Sequence, residues 1–185
     1  SGKTAAFGLP IMNACKPTGE LQALILAPTR ELANQVAEEM SNIQGKTGLI
    51  IQTVYGGTDL EKQARSLQAG VDIIVGTPGR VMDMTERGHI DLSKPDFFTL
   101  DEADRMLDMG FEESMTDIMK FMPHERQTLL FSATFPEEIE QISAAYQKNP
   151  KIVRVESKDS KQNIDQIFID AKETDPMNLL KHAID

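Results

Sequence analysis

The sequence predicts an α/β domain in which a mostly parallel sheet is covered by helices on both faces. Short apolar runs rich in Ile, Val, Leu and Phe alternate with longer stretches of helical character, a pattern typical of βαβ units. Residues 97–104 are the second observation, because four mostly apolar residues lead directly into three carboxylates within four positions. We therefore expect a buried strand there with an acidic C-terminal end, where open parallel sheets bind ligands.

Six apolar runs are predicted to be strands: residues 21–27, 49–55, 71–75, 97–100, 128–131 and 151–155. The predicted helices are residues 5–15, 29–43, 60–67, 79–87, 112–122 and 136–147. Pro136 with two following glutamates is a favourable first turn, and Asn149-Pro150 is a good stop. The polar stretch 158–163 has the composition of a linker, and a further strand over 164–170 and a helix over 175–184 are predicted after it.

Length and composition indicate an ordinary globular protein. The 185 residues are enough for one domain with its own core, and 40% are hydrophobic and 26% charged. The single cysteine, Cys15, excludes an internal disulfide bond and fits a reducing, cytoplasmic compartment, with the nucleus and other compartments left open. No apolar run is long enough to cross a membrane, and no secretory signal is visible. A start at Ser1 favours a fragment or a processed chain.

The net charge limits the kinds of partner. A formal charge of −10 and an isoelectric point near 4.8 argue against non-specific, charge-driven binding to nucleic acid. They leave open a local phosphate site built from backbone amides and a few arginines.

The first four residues, Ser1-Gly2-Lys3-Thr4, match the second half of a phosphate-binding loop. In such a loop the glycine lets the backbone approach a phosphate, the lysine meets the β and γ phosphates, and the threonine hydroxyl binds Mg²⁺. An ordinary solvated chain end is the alternative for so short a motif.

The acidic residues after the fourth predicted strand indicate a cation site. The carboxylates of Asp101, Glu102 and Asp104 would repel one another unless a cation lies among them, and oxygen ligands suit Mg²⁺ carried by a nucleotide. The alternative is a helix start, where acidic residues are favoured. Ser132 and Thr134 follow the next strand, and their hydroxyls could hydrogen-bond Asp104, unless they serve only as a turn with a helix cap.

The three other predicted strands that precede a helix end in residues typical of turns and helix starts. These are Pro28, Thr29 and Arg30, then Gly56 and Gly57, then Thr77, Pro78, Gly79 and Arg80. Thr29 and Thr77 can cap the helices that follow them, and Pro78 suits the first helical position. Amides at several helix N-termini along one sheet edge could bind successive phosphates of a nucleic-acid strand. Ordinary turn chemistry is the alternative, and for Arg30 it is a salt bridge to Glu31 or to another nearby carboxylate.

Taken in order and with their spacing, these motifs resemble the first RecA-like domain of a DEAD-box ATP-dependent RNA helicase, which is a P-loop NTPase. The resemblance covers residues 1–155. It implies a RecA-like ATP-binding domain over residues 1–157, followed over 158–185 by an interdomain linker and the start of a second RecA-like domain. The implied cofactors are ATP and Mg²⁺, and the implied partner is RNA, bound through its sugar-phosphate backbone with little sequence preference.

The resemblance also implies a role for each motif residue. Ser1, Gly2, Lys3 and Thr4 would bind ATP phosphates, with Thr4 and Asp101 holding Mg²⁺. Glu102 would orient and activate the attacking water, so the implied catalytic residues are Glu102, Asp101 and Lys3. Asp104, Ser132 and Thr134 would couple the nucleotide site to RNA binding. The RNA backbone would contact Pro28, Thr29, Arg30, Gly57, Thr77, Gly79 and Arg80.

Three parts of that family's pattern do not occur in this sequence: the adenine-reading segment, the first half of the phosphate loop with its strand, and the second domain. We therefore expect the isolated chain to be inactive. We also expect residues outside the numbered chain to fill the place beside strand 128–131, in preference to strand 151–155 or 164–170. A non-catalytic RNA- or protein-binding module is the alternative function. A structural domain with relic motifs is a third, which intact Lys3, Asp101 and Glu102 argue against.

Overall fold

A five-stranded parallel sheet forms the centre of the part of the chain that the computed structural model describes, residues 2–154. Its strands are β1 (Ala23–Leu26), β2 (Ile51–Val54), β3 (Ile73–Gly76), β4 (Phe97–Leu100) and β5 (Gln127–Leu130), in the order β2-β3-β1-β4-β5. All four pairings are parallel. Every residue of β1 and of β3 is buried, as expected for continuous apolar runs covered on both faces.

Helices cover both faces of this sheet, as predicted. They are α1 (Lys3–Ala14), α2 (Arg30–Ile43), α3 (Leu60–Gln68), α4 (Pro78–Glu86), α5 (Ala103–Asp108), α6 (Glu112–Phe121) and α7 (Glu137–Tyr146). Alternate residues of β1 point into two separate apolar layers, Leu24 and Leu26 into one and Ala23 and Ile25 into the other. The α1 residue Phe7 closes the second layer against Phe131, with ring centroids 5.2 Å apart.

The strand order places a topological switch point between β1 and β4. These two strands are neighbours, but the chain leaves β1 toward β2 at one side of the sheet and leaves β4 toward β5 at the other. The connections therefore diverge at the C-terminal ends of this pair and leave a crevice, which is where open parallel sheets bind ligands. Asp101 lies at this crevice, because its backbone N–H donates to the Leu26 carbonyl at 2.9 Å.

Two details of the predicted elements need correction. Residues 151–154 form no strand, and Ile152 and Val153 are 62% and 76% exposed. Apolar character alone was the basis of that prediction, whereas a strand exists only where its backbone pairs with a neighbour. The short helix α5 was not predicted as an element of its own, although an acidic helix start was the stated alternative at that place.

The chain divides into two compact units, Ser1–Pro150 and Lys151–Asp185. Ser1, Val155, the predicted linker 158–163 and the predicted elements 164–170 and 175–184 lie outside the described residues. Within those residues β5 pairs with β4 alone. The domain boundary at 157–158 therefore stays a prediction. So does the expectation that residues outside the numbered chain fill the place on the other side of β5. Over residues 2–154, no helix is both long and apolar enough to span a bilayer.

Candidate nucleotide site and RNA-binding edge

Asp101 is a buried carboxylate with an unused oxygen. The residue is 7% exposed, and its Oδ1 atom is buried without a hydrogen-bond partner in the described part of the chain. Burial raises the pKa of the Asp101 carboxyl, the Lys3 ammonium opposes that rise, and the charge of Glu102 adds to it. Leaving a polar atom buried and unpaired is costly. An unpaired carboxylate oxygen within electrostatic reach of a lysine, at the switch-point crevice, therefore fits a bound cation and an anionic ligand.

Glu102 has an unfavourable backbone conformation. Its φ of 53° and ψ of 51° are left-handed, and over residues 2–154 only Asn149 shares a positive φ among non-glycine residues. Its carboxylate lies 3.4 Å from the Arg105 guanidinium, and both side chains are partly exposed. Strained conformations of this kind concentrate at functional sites because they aim a side chain that a relaxed backbone would direct elsewhere.

Lys3 and Thr4 open helix α1, with Gly2 at the N-cap position. Thr4 is 7% exposed, and its hydroxyl lowers the pKa of the Glu39 carboxyl by hydrogen bonding. The charge of Glu39 also contributes to the raised pKa of Asp101, so this α2 residue belongs to the same cluster. Sequence reasoning missed Glu39, because its position in the interior of α2 carries no motif. Ser1 lies outside the described residues.

The Asp104 side chain connects the acidic residues after β4 to the loop after β5 by hydrogen bonds. Its Oδ2 accepts hydrogen bonds from the backbone N–H and the hydroxyl of Thr134, both at 2.9 Å. Burial disfavours ionisation, but the bonds from the Thr134 hydroxyl and backbone N–H and from the Arg105 backbone N–H outweigh it and lower the pKa of the Asp104 carboxyl. The Ser132 hydroxyl accepts the Asp104 N–H at 3.3 Å and donates to the Thr134 carbonyl at 2.6 Å. The predicted bond from the Thr134 hydroxyl to the Asp104 carboxylate is confirmed, whereas the Ser132 hydroxyl contacts the backbone N–H of Asp104 and not its carboxylate.

The protein groups around Asp101 fit Mg²⁺ better than a metal held by protein ligands alone. Within residues 2–154 there is no group of three or more His, Cys, Asp or Glu residues that could hold a metal ion. Mg²⁺ commonly binds through one or two carboxylates and completes its shell with waters and substrate phosphates. The buried Asp101 carboxylate can supply one such ligand, and the Thr4 hydroxyl is the second ligand that the family resemblance implies.

Arg30 stacks on an aromatic ring. Its guanidinium carbon lies 4.9 Å from the centroid of the Tyr55 ring, and no ion pair of Arg30 exists among the described residues. The salt bridge to Glu31, which was the alternative for Arg30, is therefore wrong. The Thr29 hydroxyl caps α2 as predicted, by accepting the Leu32 N–H at 3.2 Å. A cation–π contact leaves the positive charge of Arg30 unneutralised at this edge.

The start of α4 behaves differently from the start of α2. Thr77 occupies the N-cap position, but its side chain makes no capping hydrogen bond. The prediction that the Thr77 hydroxyl caps α4 is therefore wrong. Pro78 is the first helical residue, as expected. Arg80 donates to the Thr58 carbonyl at 3.3 Å from both terminal nitrogens and to the Gln63 side-chain oxygen at 3.1 Å. Arg80, like Arg30, has no carboxylate partner within residues 2–154.

The glycines of this edge differ in what the fold requires of them. A Cβ on Gly76 would come within 2.5 Å of Val81 and 2.7 Å of the Val54 carbonyl, so packing there requires glycine. A Cβ on Gly79 would meet nothing within 4 Å, at an ordinary φ. The fold therefore gives no reason for glycine at position 79, whereas close approach of a ligand to the backbone would. Pro28 is buried, so any contact of this residue with RNA would be through its backbone.

A parallel sheet with a crevice at its switch point is common to several α/β folds, and comparison with solved structures identifies this one as a RecA-like domain. In agreement, a solved DEAD box protein from the hyperthermophile Methanococcus jannaschii superimposes with a TM-score of 0.76 at 42% identity, over 79% of this chain and 40% of that one. A solved structure from Sulfolobus tokodaii, described as a hypothetical ATP-dependent RNA helicase, gives 0.74 at 38% identity, over 82% of this chain and 44% of its own.

Sequence comparison identifies the family. The sequence model of the DEAD/DEAH box helicase family matches residues 1–142. RNA helicase CrhR of Synechocystis sp. is 49% identical over 86% of this chain and 32% of its own length. ATP-dependent RNA helicase CshA of Listeria monocytogenes is 42% identical over 100% of this chain and 36% of its own. The chain belongs to the DEAD/DEAH box helicase family, and it spans about a third of the length of these relatives.

Proposed function

We propose that the chain is the first RecA-like domain of an ATP-dependent RNA helicase that couples ATP hydrolysis to the unwinding or remodelling of RNA duplexes. The observation that carries this proposal is the buried Asp101 oxygen at the switch point, which has no hydrogen-bond partner within residues 2–154 and is within electrostatic reach of Lys3. The relatives named RNA helicases support it. A second RecA-like domain and a cytoplasmic location are parts of the same proposal, the first because the chain spans only a third of those relatives.

In this proposal each residue of the nucleotide site has one task. Lys3 binds the β and γ phosphates of ATP, with Ser1 and Gly2 in the same loop. Thr4 and Asp101 hold Mg²⁺, which neutralises charge on the phosphates when it is bound. Glu102 orients the attacking water and accepts its proton, and its left-handed backbone sets the direction in which the side chain leaves the chain. Phosphoryl transfer depends mainly on such positioning and charge.

Asp104, Ser132 and Thr134 transmit the state of the nucleotide site to RNA binding. The pathway is short, because Asp104 follows Glu102 by two residues and its carboxylate is bound directly to Thr134. The RNA backbone lies along the edge formed by Thr29, Arg30, Gly57, Thr77, Gly79 and Arg80, with Pro28 contributing its backbone. Arg30 and Arg80 supply positive charge there, which answers the objection raised by the acidic composition.

The test of the catalytic part is Glu102→Gln in the full-length protein. ATP affinity should stay within about twofold, and turnover should fall by about 10²-fold or more, because a general base is lost while the binding groups remain. Glu112→Gln, the same chemical change at an exposed position in the first turn of α6, is the matched control and should change neither quantity. Unchanged turnover in the Glu102 variant would assign the water-handling role to another residue.

The test of the RNA-binding part is Gly79→Ala. The added methyl group has open space in the protein, so the free energy of unfolding should change by no more than about 0.5 kcal/mol, as for other surface substitutions. RNA-stimulated turnover should require several-fold more RNA, because the methyl group occupies the place of close approach. A variant with normal RNA dependence would remove Gly79 from the RNA-binding edge.

A further inference from the structure

Gln63 lies at the centre of a hydrogen-bonded network that joins separate loops of the RNA-binding edge. Its side-chain nitrogen donates to the Tyr55 carbonyl at 3.2 Å and to the Thr58 hydroxyl at 2.7 Å. Its side-chain oxygen accepts from Arg80 at 3.1 Å. One α3 side chain therefore holds the turn after β2 and the start of α4 at the same time.

The network closes on itself around the turn of residues 55–58. The Thr58 hydroxyl donates to the Tyr55 carbonyl at 3.2 Å. Both terminal nitrogens of Arg80 donate to the Thr58 carbonyl at 3.3 Å. The Arg30 guanidinium in turn stacks on the Tyr55 ring. Both arginines of the edge are thus positioned by the same turn.

The turn needs such support because it contains two adjacent glycines. Gly56 and Gly57 have nothing within 4 Å of the place where a Cβ would stand, and Gly57 has a φ of +79°. Glycine restricts the backbone least of all residues, so side-chain contacts of the glycines themselves cannot order this segment. The hydrogen bonds of Gln63 and Arg80 to the carbonyls of Tyr55 and Thr58 supply that order.

We propose that Gln63 is a positioning residue for RNA binding, which fixes Tyr55 and Arg80 so that the three loops of the edge present one preformed surface. The proposal rests on the proposed function, since it assumes that this edge binds RNA. A surface ordered in advance does not lose conformational freedom when the ligand binds, and affinity rises accordingly. Gln63 does not itself touch the ligand in this arrangement.

The test is Gln63→Met in the full-length protein, which keeps the length of the side chain and removes all three hydrogen bonds. The RNA concentration that gives half-maximal ATPase stimulation should rise about 5- to 30-fold, the effect expected from one or two lost hydrogen bonds. The KM for ATP and the rate at saturating RNA should stay within about twofold, because no contact of Gln63 reaches the nucleotide site. Equal changes in the RNA and ATP dependences would indicate general damage and overturn the proposal.

Gln52→Met is the matched control. The Gln52 amide also bonds to two backbone carbonyls, of Ser66 and Gly70 at 3.0 and 3.1 Å, but these lie at the C-terminal end of α3. The control should leave the RNA dependence unchanged, and an effect as large as that of Gln63→Met would show that any loosening of α3 is sufficient.

Gln63→Glu separates the two halves of the network. A glutamate still accepts from Arg80, but it cannot donate to the Tyr55 carbonyl and its charge neutralises that of Arg80, so RNA affinity should fall at least as far as it does for methionine. Normal RNA affinity with glutamate would contradict the proposal. A lack of RNA stimulation in the unsubstituted protein would contradict the proposed function itself.

Discussion

The strained backbone of Glu102 leads to an unusual prediction about stability. Replacing Glu102 with glycine should leave the protein more stable than replacing it with alanine. A non-glycine residue in the left-handed region costs about 1–2 kcal/mol, and Glu102 has a φ of 53° there. Glycine escapes that cost, but it gains more freedom in the unfolded chain, worth about 0.4–1 kcal/mol. The difference leaves Glu102→Gly more stable than Glu102→Ala by about 0.5–1 kcal/mol.

Comparing the two variants with each other cancels the stability effects that both substitutions have in common. Both lose the contact with Arg105, which is partly exposed and worth little, and both should lose ATP hydrolysis in the full-length protein. Glycine is also the better of the two at the N-cap of α5, which acts in the same direction. Urea unfolding of the 185-residue chain would measure the difference, which corresponds to about 1–4 °C in the melting temperature for a chain of this size.

Glu38 provides the control, because it is exposed and lies in the interior of α2. There the sign should reverse, with Glu38→Gly less stable than Glu38→Ala by about 1 kcal/mol. The reasoning is refuted if glycine at position 102 is no more stable than alanine while the control behaves as expected. That result would mean that the left-handed conformation of Glu102 stores no strain.

Two further predictions concern carboxylates outside the catalytic role. Asp72→Asn should destabilise the chain by about 1–3 kcal/mol in urea unfolding, because the amide NH₂ cannot accept the Ile50 N–H that now donates at 2.8 Å. The same change at the exposed helix cap Asp59 should cost almost nothing, and equal costs would contradict the explanation. The lowered pKa of Asp104 means that its stabilisation is present above the ordinary carboxyl value near 3.8 and is lost as pH falls through the folded value. Thr134→Val should move that pKa back toward 3.8 in an NMR titration, and an unmoved value would show that the hydroxyl contributes nothing.

Sequence reasoning succeeded where the signal was local. The buried runs that became β1 and β3, and the helix starts at Thr29 and Pro78, lie within a few residues of the patterns that predicted them. It was wrong for residues 151–154, where an apolar run formed no strand. The alternative partner for Arg30, Glu31, is wrong, because the guanidinium stacks on Tyr55, a residue 25 positions away in the sequence.

The sequence by itself determined the fold class, the family resemblance and the set of chemically active residues, since motif order and strand–helix alternation are carried along the chain. Only the tertiary structure decided which distant groups meet. Asp72 accepts backbone N–H groups from Thr18, Gly19 and Ile50, and Gln63 reaches Arg80. These contacts join residues 17 to 54 positions apart, and the parallel sheet makes them neighbours only after the strand order is set. No local pattern records that order, because each strand is selected for burial and not for a particular partner.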